Sequence, residues 1–350
     1  MSAPRPDLVI FSPAGVVART AALRRAAKRL GQLGFDVTID EAAALKVQRF
    51  AGDDDARLAA LHRVAEAAPS VALASRGGYG LTRLLDRIDW PLIGRSIERG
   101  TRWVGYSDLT ALQLAALAHG VAGDPGQPGH HHHDHNAHDH DPHDHDDHHG
   151  HHHQNRHDHA PHASCCQPGG FWAGPMACGD FGDAEQDGGG DDVTQDVFVE
   201  AMTGQLEAVG FRTEAGFDGL ETGGRLWGGN LTVLLSLLGT PHFPRMDGGV
   251  LFLEDVNEHP YRIERGLLQL HQAGVLQAQK AVLLGSFTEW RKSPLDRGYG
   301  LKAAIEHLRS VTATPLLTGL PFGHVQTKLC LPVGRAVKLS VSGRDAFVVW

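Results

Sequence analysis

At 350 residues, 41% of them hydrophobic, the chain has the length and composition of a globular protein with room for two cored domains. Its 32 Lys and Arg against 41 Asp and Glu leave a formal charge of −9, which repels phosphate, so no nucleic-acid partner is expected. The sequence lacks both a basic leader with a long apolar stretch and an apolar run of roughly 18 residues, so the expectation is a cytoplasmic protein with no membrane partner.

The first 120 residues alternate strand and helix. Asp7 to Phe11 is a short apolar run, followed by an Ala- and Arg-rich helix that ends near Gly34. A second strand starts at Phe35. A helix then covers the stretch from Asp54, with Leu58, Leu61 and Val64 or Ala65 on one stripe. SVALAS and TRWVGY read as the third and fourth strands, the latter running into an amphipathic helix. Short apolar strands alternating with helices imply a parallel sheet covered on both faces. From about Gly123 to Gly170 this pattern gives way to Gly, Pro, Asp and His. Of the 24 histidines 17 fall between His130 and His162, so this segment has too little apolar surface to offset its ordering entropy and is expected to be a disordered insertion.

Structure is expected to resume near Phe171, with a helix over Val193 to Gln205 and a second alternating region from Thr222. There GGRLW is a strand, and NLTVLLSLLG is a helix capped by Asn230 and stopped by Gly239. GGVLFLED is a strand followed by a helix, KAVLLGSF another strand, and VKLSV with AFVVW a closing pair. The expected fold class is α/β: a parallel-sheet N-terminal domain from 1–122 and 171–210, the insertion at 123–170, and a smaller α/β C-terminal domain at 211–350. The four cysteines, Cys165, Cys166, Cys178 and Cys330, have no disulfide-framework spacing, which fits a reducing compartment.

Four segments carry chemistry. In WVGYSDLTALQLAALA an apolar strand passes through Gly-Tyr-Ser-Asp straight into a helix, the context that lifts a nucleophilic serine, Ser107, to a helix N-terminus. The position two after the serine is Leu109 rather than Gly, so this is not the α/β-hydrolase motif, and a plain helix cap by Ser107 and Asp108 is the competing reading. In ASRGGYGLTRLLD, Gly77 and Gly78 allow close backbone approach and free amides, and Arg76 can pair with a substrate carboxylate; a tight turn alone is the alternative. LFLEDVNEHPYRIERGL places Glu254 and Asp255 at a strand's carboxyl end, with Glu258 four residues on, beside arginines that could simply neutralise them. His324, after Pro-Phe-Gly in a loop, would supply the base that a serine needs.

Together SRGGYGLTRLLDRID, GYSDLTALQLA, WGGNLTVLLSLLGTP, LFLEDVNEHPYRIERGL and PFGH, in that order, resemble the serine LD-carboxypeptidases, or muramoyltetrapeptide carboxypeptidases. The resemblance implies a flavodoxin-like N-terminal domain and a catalytic set of Ser107 as nucleophile, His324 as base and Glu254 as its orienter, with Glu258 the rival for that last role. It further implies an oxyanion hole from the amides of Asp108 and the Gly77–Gly78 turn, a homodimer, no cofactor, and removal of the terminal D-alanine from murein tetrapeptides in cytoplasmic peptidoglycan recycling. Two other functions compete: an immunity-type peptidase cleaving peptidyl-nucleotide antibiotics, and a metal buffer. The second rests on a tract including His130, His131, His132, His133, His151, His152 and His153, ligands suited to zinc or nickel. The family passes quickly from the elbow helix to the Gly174-Pro175-Met176 stretch, whereas here the His-rich segment intervenes.

Overall fold

The computed structural model describes residues 4–121, 169–184 and 190–350. The N-terminal part contains β1 (Asp7–Phe11), α1 (Ala21–Gln32), β2 (Asp36–Ile39), α2 (Asp54–Ala67) and β3 (Val71–Ala74). It continues through α3 (Trp90–Glu98), β4 (Arg102–Val104), α4 (Leu109–Ala118) and β5 (Gly170–Ala173). The five strands are parallel in the order β5-β4-β3-β1-β2, the flavodoxin-like doubly wound arrangement. Such strands are covered on both faces, and β3 accordingly is buried at every position.

The remaining elements are α5 (Asp192–Thr203), β6 (Ala208–Arg212), β7 (Glu221–Asn230), α6 (Leu231–Leu237), β8 (Val250–Val256), α7 (Pro260–Gln272) and β9 (Ala281–Thr288). They are followed by α8 (Leu301–Val311), β10 (Leu316–Thr318), β11 (Leu331–Val333), β12 (Ala336–Ser342) and β13 (Asp345–Val349). A second sheet runs β10-β9-β8-β7-β12-β13-β6, its first four strands parallel and the rest antiparallel. Here β12 and β13 are the closing hairpin read from the sequence. The two sheets exchange chain: β11, late in the sequence, crosses to pair antiparallel with β5 of the first sheet.

One local expectation is overturned. The helix after Ser107 is not amphipathic: every residue of α4 from Leu109 to Ala116 is buried. The helix packs against the turns at Leu81–Arg87 of its own half and against β7 and α6, so it has no solvent face to be polar. By contrast α6 begins as expected, with Asn230 Oδ1 accepting from the Val233 amide at 3.0 Å.

Candidate active site

Ser107 sits between the end of β4 and the first turn of α4 in the left-handed region, at φ +61°. For a residue other than glycine this costs about 1–3 kcal/mol, so the surrounding structure must impose it. The Thr110 amide donates to the Ser107 carbonyl at 3.0 Å, closing the helix's first turn over the serine. The sharp reversal presents the hydroxyl to the surface while the helix stays buried. Asp108 makes no side-chain cap; its carboxylate turns away to accept from the Leu81 amide at 2.8 Å. Burial pushes the Asp108 carboxyl up to about 6, against the opposing pull of the Leu81 amide and the Arg57 charge.

His324 arrives from the connection between β10 and β11, and Glu254 from the carboxyl end of β8. His324 Nε2 lies 3.2 Å from Ser107 Oγ, and its Nδ1 lies 2.7 Å from Glu254 Oε2. With Glu254 as carboxylate and the imidazole neutral, Nδ1–H donates to Glu254 and Nε2 presents its lone pair to the serine. Glu254 is wholly buried, and Asn230 Nδ2 donates to its other oxygen at 3.2 Å. The edge of the imidazole packs on Tyr106 with ring centroids 4.9 Å apart, and Thr288 Oγ1 donates to the His324 carbonyl at 3.2 Å. Glu258 takes no part in this line; it pairs with Arg262 at 3.5 Å on the surface of α7. Asp255 is spent on α6, accepting from the Thr232 amide at 2.9 Å and from Asn230 Nδ2 at 2.8 Å.

Gly77 packs directly against the serine. A Cβ there would lie 2.7 Å from both Ser107 Cβ and Oγ, so only glycine fits without moving them. Its carbonyl is held by the Gly15 amide at 3.1 Å, and Gly78 follows at φ +92°. Ser107, His324, Gly77 and Gly78 open onto a cleft of roughly 630 Å³ whose lining also includes Arg19, Arg25 and Arg76. Arg76 Nη1 donates to the Val16 carbonyl at 2.9 Å, and Arg25 Nε to the Gly182 carbonyl at 2.8 Å, which fixes both guanidinium groups with donors to spare. The Cys178 thiol also lines the cleft, and burial pushes it up to about 11, so it is no competing nucleophile near neutrality.

Two supports were not read from the sequence. Asn230 serves Glu254 and Asp255 as well as capping α6, and its own amide donates to Thr110 Oγ1 on α4 at 3.0 Å. Gly229, at φ +133°, lets β7 approach Thr110 where a side chain would collide. The pair of glycines before Asn230 was the available signal of close backbone approach. Buried Lys328 pairs with Asp180 beneath Tyr106, its ammonium 5.5 Å from the ring centroid; no local pattern announces this long-range pair. The candidate metal ligands His130, His131, His132, His133, His151, His152 and His153 lie outside the described residues, as do Cys165 and Cys166.

Sequence models of the LD-carboxypeptidase N-terminal and C-terminal domains match residues 8–123 and 223–339, more than half of the chain. The chain belongs to the LD-carboxypeptidase family. Among LD-carboxypeptidase relatives it is 25% identical to the murein tetrapeptide carboxypeptidase of Pseudomonas aeruginosa, over 95% of this chain and 92% of that one. It superposes on the crystal structure of muramoyltetrapeptide carboxypeptidase from Oxalobacter formigenes with a TM-score of 0.76 at 31% identity, covering 98% and 97% of the two chains. The microcin C7 self immunity protein MccF superposes with a TM-score of 0.74 at 16% identity, over 100% and 97%, a likeness of fold. As a member of the LD-carboxypeptidase family the chain is a carboxypeptidase and a hydrolase. No helix among the described residues is long and apolar enough to cross a membrane.

Proposed function

We propose that the chain is a serine-type LD-carboxypeptidase that releases the terminal D-alanine from murein tetrapeptides. The observation that carries the mechanism is the unbroken line from Ser107 Oγ through His324 to buried Glu254, set on a strained turn at the cleft floor. In this reading His324 Nε2 takes the Ser107 proton as Oγ attacks the carbonyl of the L-configured centre. Glu254 keeps the imidazole in the productive tautomer and stabilises the imidazolium. The amides of Asp108 and of the Gly77–Gly78 turn, at the N-terminal end of α4, receive the oxyanion. His324 then hands its proton to the departing amine of D-alanine, and a water deprotonated by the same nitrogen hydrolyses the acyl-enzyme. An exopeptidase must also recognise a free C-terminal carboxylate, and in this reading Arg76, with Arg19 and Arg25 in the same cleft, supplies the countercharge.

The substrate class rests on the two murein carboxypeptidases to which the chain is similar. The same reading includes the homodimer and the cytoplasmic recycling role that the sequence motifs imply. Incubation with purified murein tetrapeptide, followed by mass spectrometry, should show loss of one alanine. Ser107→Ala should lower kcat by roughly 10⁶-fold with the fold intact, because the change opens no large cavity. Near-normal turnover by Ser107→Ala would refute the mechanism. Turnover of a peptidyl-nucleotide with the tetrapeptide untouched would replace the substrate.

A further inference from the structure

At the opposite end of α4 from Ser107, three separated segments converge on a pair of imidazoles. His119 closes the helix; its Nε2 lies 3.1 Å from Nδ1 of His242, in the loop after α6. The other nitrogen of His242, Nε2, lies 2.9 Å from Asp86 Oδ1, in the turn before α3. Trp90 stacks on the outer face of His119 with ring centroids 4.6 Å apart and planes 12° apart. His119 is exposed, whereas the His242 ring is nearly buried and held by its carboxylate. We propose that His119 Nε2 and His242 Nδ1 form a two-histidine site for a divalent transition-metal ion such as zinc, clipping the nucleophile's helix to the C-terminal half of the chain.

The spacing already suits an ion. At a zinc–nitrogen distance of about 2.05 Å, two nitrogens 3.1 Å apart subtend about 98° at the ion, within the range of a distorted tetrahedron. The two nitrogens now face each other in a hydrogen bond, so both rings must tilt off that line, the exposed His119 ring most freely, for the lone pairs to converge on an ion. Asp86 already plays the outer part of a carboxylate–histidine–metal arrangement: it accepts from the distal nitrogen and so leaves Nδ1, the one facing His119, free to ligate. Among the described residues no three His, Cys, Asp or Glu side chains converge as a metal site. The pair therefore supplies two ligands and leaves the remaining positions to water. The ten residues of α4 put the site about 15 Å from the catalytic end, so the ion holds structure and takes no part in peptide hydrolysis.

The test is the stability of the full-length protein with and without zinc. His119 and His242 are 123 residues apart, so they can share an ion only in the folded state. Zinc taken by sequence neighbours such as His130 to His133 is taken by the unfolded chain as well and largely cancels. Zinc chloride should raise the wild-type Tm by about 2–4 °C, and this rise should vanish in His119→Gln and in His242→Gln. Asp86→Asn should keep the rise but require roughly tenfold more zinc. Zinc-soaked crystals should show an anomalous peak about 2 Å from both nitrogens, a readout independent of how well the variants fold. A zinc effect that survives either histidine substitution, or a soaked crystal with no peak between the rings, overturns the proposal.

Discussion

Replacing Gly77 by alanine should disable the enzyme without unfolding it. The new methyl would sit 2.7 Å from both Ser107 Cβ and Oγ and 3.3 Å from the Asp108 amide nitrogen. Carbon contacts are comfortable only at about 3.5–4.0 Å, so the serine must retreat by roughly 1 Å or the glycine turn must shift by as much. Neither partner is the loose end of a flexible side chain. One is a strained elbow, and the other is a turn whose carbonyl is fixed by the Gly15 amide. A retreat of that size removes Oγ from its 3.2 Å approach to His324 Nε2. Misplacement by about 1 Å costs on the order of 10²-fold in rate, equivalent to about 2.7 kcal/mol of activation free energy. The control is Gly179→Ala in the same cleft, where an added Cβ meets nothing within 4 Å. Steady-state kinetics on a murein tetrapeptide, with thermal unfolding in parallel, should show kcat down about 10²-fold in Gly77→Ala and within about twofold of wild type in Gly179→Ala. A Gly77→Ala enzyme that keeps more than half of its kcat would mean that the serine is not held where the close packing puts it.

Further expectations follow from the same geometry. Glu254→Ala should cut kcat by roughly 10⁴-fold, whereas Glu258→Ala, which loses only a surface pair with Arg262, should stay within a few fold; the reverse order would reassign the orienter. Asp108 carries a pKa of about 6 in the folded protein against about 3.9 in the unfolded chain, so its ionisation opposes folding. The associated penalty is absent below about pH 4, builds between pH 4 and 6, and reaches roughly 3 kcal/mol above pH 6. Asp108→Asn should therefore flatten the pH dependence of urea-unfolding stability across that window, and an unchanged profile would discount the buried carboxyl. Chelators should leave kcat on the tetrapeptide within about tenfold, since in the proposed mechanism nucleophile, base and orienter are all side chains; inactivation reversed by added zinc would refute this.

Much of the fold could be read in the sequence because parallel strands buried on both faces appear as short apolar runs, and VALA, RWV and VLFLEDV did. The elbow that carries Ser107, the proposed nucleophile, was readable for a local reason: a strand, a short turn and a helix are contiguous in WVGYSDLTALQLA. Position favoured Glu254 over Glu258 as the proposed orienter, one lying near a strand's end and the other just ahead of a helix, but the sequence left both open. What could not be read was lateral. Nothing in LTALQLAALA tells whether its second face meets water or another sheet, and the answer, burial against β7 and α6, depends on a partner more than 100 residues away. The same applies to Lys328 with Asp180 and to the double duty of Asn230, whose cap role is local and whose hold on Glu254 is not.

That lateral packing is what makes the serine and its partners a unit. Ser107 belongs to the first sheet and Glu254 to the second, so their separation is set by how the sheets meet and not by either sheet alone. Three features fix that meeting. The Asn230 amide donates to Thr110 Oγ1 one helical turn beyond Ser107, and Gly229 removes the side chain that would hold the two apart. The segment carrying His324 leaves β10 in the second sheet and enters β11 in the first, so the imidazole hangs on a connection anchored in both. Asn230 then ties this seam to the proposed chemistry, because the residue whose amide touches the helix after Ser107 also donates its side chain to Glu254. A displacement of either sheet would stretch the 3.2 Å Ser107–His324 approach and the 3.0 Å Asn230–Thr110 bond together. The strained serine turn, costly by itself, is thus maintained by packing contributed from both halves of the chain.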